Sequence, residues 1–121
     1  MIQYACAVIT VDGKYALQLR DLHVEAAPGE WGLFGGSIEP GESSLQAVRR
    51  ELLEELEIDV EPQYLCDVDP CRFFSVDASE QWARHVLHEG QADGLFAPDE
   101  LAKLGLNYHT RAAIAEHLGP P

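Results

Sequence analysis

The stretch from Gly35 to Ile58 constrains this chain more than any other, because it joins a glycine pair to a helical pattern with two separate faces. Ser43 is a helix N-cap by residue type, and Gln46, three residues on, completes a capping box. The pattern predicts a helix from about Ser44 to Leu56. Leu45, Val48, Leu52 and Leu56 form its apolar stripe. Glu51, Glu54 and Glu55 fall at i, i+3 and i+4. At ~100° per residue these carboxylates share an arc of about 100°, centred about 110° from the stripe. One side of the helix can therefore bury against a sheet while the neighbouring side faces the glycine loop.

Three anionic oxygen donors on one rigid face suit a hard divalent cation, Mg²⁺ or Mn²⁺. Gly35 and Gly36 let phosphates approach backbone N–H groups. The pair of features points to metal-assisted chemistry on a phosphate substrate. Glutamates at these spacings ordinarily make a solvated helix face. That reading accounts for the helix but not for Gly36, Glu42 and Arg50 at their spacings.

Those residues together resemble the signature box of the Nudix hydrolases (the MutT-like superfamily). Gly36, Glu42, Arg50, Glu51, Leu52, Glu54, Glu55 and Ile58 match the box in register. Glu57 departs from it, standing where the family has glycine. The resemblance implies an α/β fold, the Nudix α/β/α sandwich with a mixed β-sheet. It implies Glu51 and Glu55 as principal metal ligands, the Gly36 carbonyl as a further ligand, and Glu54 as a ligand or the general base. It also implies that Arg50 orients a catalytic glutamate. Glu42 is read as tying down the loop or as an outer-sphere ligand. A further carboxylate often comes from a later strand in this family, and Glu89 is the candidate. Related enzymes often line the nucleobase pocket just before the last helix. Asn107, whose amide both donates and accepts, and Tyr108, whose ring could stack on a base, stand there.

At 121 residues the chain is expected to be a single domain over 1–121. It is 46% apolar and 24% charged, which suits a globular protein, and no apolar run reaches the ~20 residues of a membrane span. The N-terminal MIQYACAVITVDG alternates like a strand and has no basic n-region, so no signal peptide is expected. Cys6, Cys66 and Cys71 make no CxxC pattern and are expected as buried or free thiols in a reducing cytoplasm. The net charge of −13, from 8 basic and 21 acidic residues, argues against a nucleic-acid polymer as partner. It does not argue against a small nucleotide, because a bound cation dominates the local field. A homodimer is left open.

Alternation over Ile2–Val11, an Asp12-Gly13 turn and Tyr15–Arg20 predict a hairpin. A polar loop is expected over Asp21–Glu30, and a short strand over Trp31–Phe34. Further strands are expected at Ile58–Val60, Gln63–Val68, Arg72–Val76, Arg84–Glu89 and Gly94–Phe96. A helical turn is expected at Pro98–Leu101, and a last helix over His109–Leu118. Trp31 is read as a core residue, and His85 and His88 as structural. Phe34 stands where proline is common in the family.

The resulting expectation is a Mg²⁺- or Mn²⁺-dependent hydrolase of a nucleoside diphosphate linked to another group. A (d)NTP pyrophosphatase is the leading choice. ADP-ribose or sugar-nucleotide cleavage is the alternative within the family. ADP-ribose-cleaving members tend to carry a proline some fifteen residues past the box, whereas Pro70 lies twelve past Ile58. A non-catalytic nucleotide-sensing domain is the rival of another class, and the full set of box carboxylates weighs against it.

Overall fold

A computed structural model describes residues 1–23 and 28–120. Residues 24–27 of the expected loop 21–30 lie outside the described residues. Strand β1 (Tyr4–Val11) organises the rest through its alternation. Ala5, Ala7, Ile9 and Val11 point into one core, where they meet Ala47, Val48, Leu52 and Leu56 of helix α1 (Ser44–Leu56). Val8 points the other way, into a second core with Ala113 and Ile114 of helix α2 (Tyr108–Leu118). The sheet is thus covered on both faces, as the α/β/α expectation requires.

The Asp12-Gly13 turn has φ of 50° and 82° at its two residues, the left-handed pair of a tight hairpin. It returns the chain into β2 (Lys14–Leu19), antiparallel to the C-terminal part of β1. On the other edge, β1 pairs in parallel with β6 (Cys71–Asp77), which pairs antiparallel with β5 (Gln63–Val68). β2 also pairs antiparallel with β3 (Trp31–Gly32) and β7 (Ala92–Phe96). β4 (Phe34–Ser37) lies along the N-terminal half of β1, with Ala5 opposite Gly36 and Cys6 opposite Gly35. Two strands therefore share one edge of β1, and the glycine pair is laid against its beginning. Among the described residues no helix is long and apolar enough to cross a membrane.

Helix α1 starts as predicted. The Ser43 hydroxyl accepts from the Gln46 N–H at 3.1 Å, and the Gln46 amide oxygen accepts from the Ser43 N–H at 2.9 Å. The helix ends at Glu57, whose φ of 56° is left-handed. The Glu57 N–H donates to the Leu53 carbonyl at 3.0 Å, and the Ile58 N–H donates to the Leu52 carbonyl at 3.5 Å. That places a non-glycine residue at a position where glycine is usual.

Three strand expectations need correction. Trp31–Phe34 is not one strand: Leu33 separates β3 and β4, which pair with different partners. Ile58–Val60 forms no strand, although Ile58 and Val60 are buried. Those side chains fill the α1-side core as the chain leaves the left-handed turn, so their apolar character reports burial and not pairing. Arg84–Glu89 forms no strand either. A 3-10 turn, Trp82–Arg84, is followed by irregular backbone whose N–H groups bond the end of α1 instead of a sheet neighbour. The helical turn after β7 is a 3-10 turn spanning Pro98–Lys103, and α2 begins at Tyr108.

Ser43→Ala removes the acceptor of the capping box. It is expected to lower unfolding stability by about 1 kcal/mol. Urea unfolding at a constant m value checks this, and an unchanged midpoint would show that the box contributes nothing.

Candidate metal and phosphate site

The helix and the glycine loop meet at Glu55. Its side chain is fully buried, and one carboxylate oxygen accepts from the Gly35 N–H at 2.9 Å. The other oxygen is buried with no hydrogen-bond donor. The backbone of the neighbouring segment is close, with the His88 N–H donating to the Glu55 carbonyl at 2.8 Å, and this brings the Glu89 carboxyl near enough to act on Glu55. Two ionised carboxylates repel each other, so Glu89 disfavours the charged form of Glu55. Burial, then Glu89 and Glu51, push Glu55 up to about 10.

Gly35 is required by close approach to backbone, and Gly36 faces the end of the Glu51 side chain. A Cβ on Gly35, whose φ is 144°, would stand 2.4 Å from the Ala5 carbonyl oxygen. A Cβ on Gly36 would stand 2.5 Å from Glu51 Oε1. The bare backbone at Gly36 is therefore what lets Glu51 lie against the loop. Burial raises the Glu51 carboxyl, and Arg50 opposes that shift.

Arg50 gathers the remaining groups. Its Nε donates to Glu42 Oε2 at 2.7 Å and its Nη2 to Glu42 Oε1 at 3.0 Å, a bidentate pair. Nη1 donates to Glu51 at 3.0 Å and to Glu54 at 3.3 Å, and Nη2 also donates to the Ser37 carbonyl at 3.1 Å. Glu42 accepts in turn from the Glu39 N–H at 3.0 Å. The Arg50 bonds, followed by that N–H, pull Glu42 down to about 2. Of the two readings of Glu42, the geometry matches the one that ties the loop to the helix.

Glu51, Glu54, Glu55, Glu89, Gly35, Gly36 and Arg50 are therefore neighbours. Their donors are not yet converged: among the described residues no three carboxylates, imidazoles or thiols are grouped to hold an ion. Arg50 engages Glu51 and Glu54 at the same nitrogen, while Glu55 turns to Gly35. The residues nevertheless fit a hard divalent cation. The donors are all oxygens, one buried carboxylate oxygen lacks a partner, and the loop beside them has no side chain in the way.

The other named residues are placed elsewhere. Asn107 caps α2, its Oδ1 accepting from the Thr110 N–H at 2.9 Å, and Tyr108 is exposed at the same helix start. Trp31 packs edge-on against Phe96 in the α2-side core. Phe34 is buried, edge-on to Trp82. His85 stacks on Trp82 and its Nε2 meets Asp93 Oδ2 at 2.7 Å. The three cysteines are free. Sequence reasoning did not find that His88 Nε2 contacts the Glu57 carboxylate. The departure from the box at Glu57 was its only signal.

A mixed sheet between two helices, with a glycine loop and a glutamate-bearing helix at its edge, defines the class. The chain belongs to the NUDIX domain family, whose model matches residues 1–117. It is 41% identical over 68 residues to a protein named nucleoside triphosphatase NudI from Salmonella arizonae, a match covering 56% of this chain and 46% of that one. The match thus spans about half the length of such curated relatives. Among solved structures it resembles the E. coli ORF135 protein (30% identity, TM-score 0.71, 94% of this chain and 88% of that one). It also resembles a MutT NUDIX hydrolase from Burkholderia pseudomallei (29% identity, TM-score 0.73, 94% and 96%).

The raised Glu55 carboxyl has a consequence for stability. Between its ordinary 4.5 and about 10, the native state holds a proton that the unfolded chain has released. Native protons exceed unfolded ones in that window, so stability falls as pH rises through it. The metal-free protein should melt progressively lower across this range. Glu55→Gln, which cannot ionise, should flatten the slope. Melting curves in a chelator at several pH values check this, and parallel slopes would refute it.

Asn107→Ala should cost about 1 kcal/mol through loss of the α2 cap. A change in KM beyond what that destabilisation explains would mark a role toward substrate as well.

Proposed function

We propose that this chain hydrolyses a pyrophosphate bond in a nucleoside diphosphate linked to another group, with a (d)NTP as the favoured substrate. The observation that carries the reading is the buried Glu55 carboxylate, bonded to the glycine loop and flanked by Glu51, Glu54 and Glu89. The relatives named nucleoside triphosphatase favour a triphosphate. The reducing cytoplasm suits three free thiols.

Pyrophosphate resists water because its anionic oxygens repel a nucleophile. A bound Mg²⁺ or Mn²⁺ supplies the neutralising charge and polarises the phosphoryl group. Glu51, Glu55, Glu89 and the Gly36 carbonyl are assigned to hold it. The backbone of Gly35 and Gly36 lies open to phosphate oxygens. Glu54, with its side chain 60% exposed, sits on the rim where water reaches it. Its role is to take the proton of the attacking water, and Arg50 holds it in place at 3.3 Å. Asn107 and Tyr108 are assigned to the nucleobase end, Asn107 through the amide nitrogen that the helix cap leaves available.

Chromatography of products from dNTPs, NTPs, ADP-ribose, dinucleoside polyphosphates and sugar nucleotides with Mg²⁺ tests the reading. A nucleoside monophosphate and pyrophosphate from a triphosphate are expected. Turnover of none of these substrates would refute it. Glu54→Gln is expected to lower kcat by at least ~10². An active variant would remove Glu54 from the chemistry. Mg²⁺ should raise the melting temperature of the parent by binding the native state. Glu51→Gln combined with Glu55→Gln should abolish that rise, and an undiminished response would place the ion elsewhere.

A further inference from the structure

The segment 85–91 carries Glu89 and is fastened on both sides of it. Upstream, the Val86 N–H donates to the Leu56 carbonyl at 3.0 Å and the His88 N–H to the Glu55 carbonyl at 2.8 Å. These carbonyls belong to the last turn of α1, where no further helical N–H follows to bond them. Downstream, the Gln91 N–H donates to the Leu19 carbonyl at 2.7 Å, and Gln91 Nε2 donates to the Arg20 carbonyl at 2.8 Å. The upstream fastening also has a side-chain contact, between His88 Nε2 and the Glu57 carboxylate.

Glu57 occupies the left-handed end of α1, where a glycine would close the helix without strain. A glycine would leave His88 without that partner. The carboxylate at 57 instead contacts His88, the residue next to Glu89. We propose that Glu57 and His88 form a latch that positions Glu89 against Glu55 at the cation site. Both are positioning residues, and neither touches the ion. The latch rests on the cation site assigned under the proposed function. It makes the residue that departs from the family's box a part of the site's support.

The test is Mn²⁺ affinity without substrate, by electron paramagnetic resonance of free Mn²⁺, together with amide exchange of metal-free protein. Glu57→Gly and His88→Ala should each weaken Mn²⁺ binding by about tenfold, the scale of losing an outer-shell support. The double variant should bind no more weakly than either single one. In a Glu89→Gln background the two changes should have no further effect, because the latch acts through Glu89. Glu57→Gln can still accept from His88 and should bind within about threefold of the parent, on the same scale. The His88 amide should exchange faster in Glu57→Gly than in the parent.

Parental affinity and exchange in Glu57→Gly would overturn the latch while leaving the cation site intact. So would a Glu57→Gln variant as weak as Glu57→Gly, which would mean that charge and not contact matters. Losses that add to that of Glu89→Gln would show that Glu57 acts by another route. A parent that binds no Mn²⁺ would overturn the cation reading and the latch with it.

Discussion

The burial of one acidic side chain, Glu55, sets the terms for the surrounding structure. A carboxylate away from water is costly unless it is neutralised or bonded. Glu55 has one N–H from Gly35 and a second carboxyl beside it. The glycine loop must approach closely to supply that N–H. This in turn requires β4 to lie against the start of β1, where a side chain at 35 would collide with the backbone of Ala5. Helix, loop and sheet are thus brought together around a buried acid whose charged form burial disfavours.

Arg50 provides the opposing charge. It binds Glu42 with two bonds and reaches Glu51, Glu54 and the Ser37 carbonyl. Without it, like charges on one helix face would repel one another and the loop 37–42 would lose its tie to the helix. The arginine leaves Glu54 exposed while restraining it. That combination suits a group that must meet water yet keep its place.

What was legible in the sequence was local. The cap at Ser43, the extent of α1, the carboxylate face, the stripe from Val48 to Leu56 and the β1–β2 hairpin all follow from spacings of a few residues, but Leu45, expected in the stripe, is exposed in the first turn while Ala47 is buried. Glu89 could be named as a candidate, but its nearness to Glu55 joins positions 34 residues apart in sequence and is decided by packing, through the His88 N–H bond to the Glu55 carbonyl. The stretches 58–60 and 84–89 misled for a related reason. Ile58, Val60 and Leu87 are buried or packed as a strand's residues would be, whereas Val86 is exposed, and the backbones turn away or bond a helix end. Side-chain pattern reports which residues are hidden, and pairing depends on whether a sheet edge is free. The Glu57–His88 contact was hidden because a departure from a familiar pattern says only that something differs.

The outer strand β5 has a consequence for how the molecule behaves among its copies. Its pairing with β6 slips between Tyr64 and Cys66, so the ladder is irregular midway along the strand. Asp67, held by Arg72 at 2.8 and 2.9 Å, places charge near its end. An irregular, charged border is a poor template for a further strand. The sheet path ends at β5, and the margin there carries two features that disfavour the addition of another chain's strand.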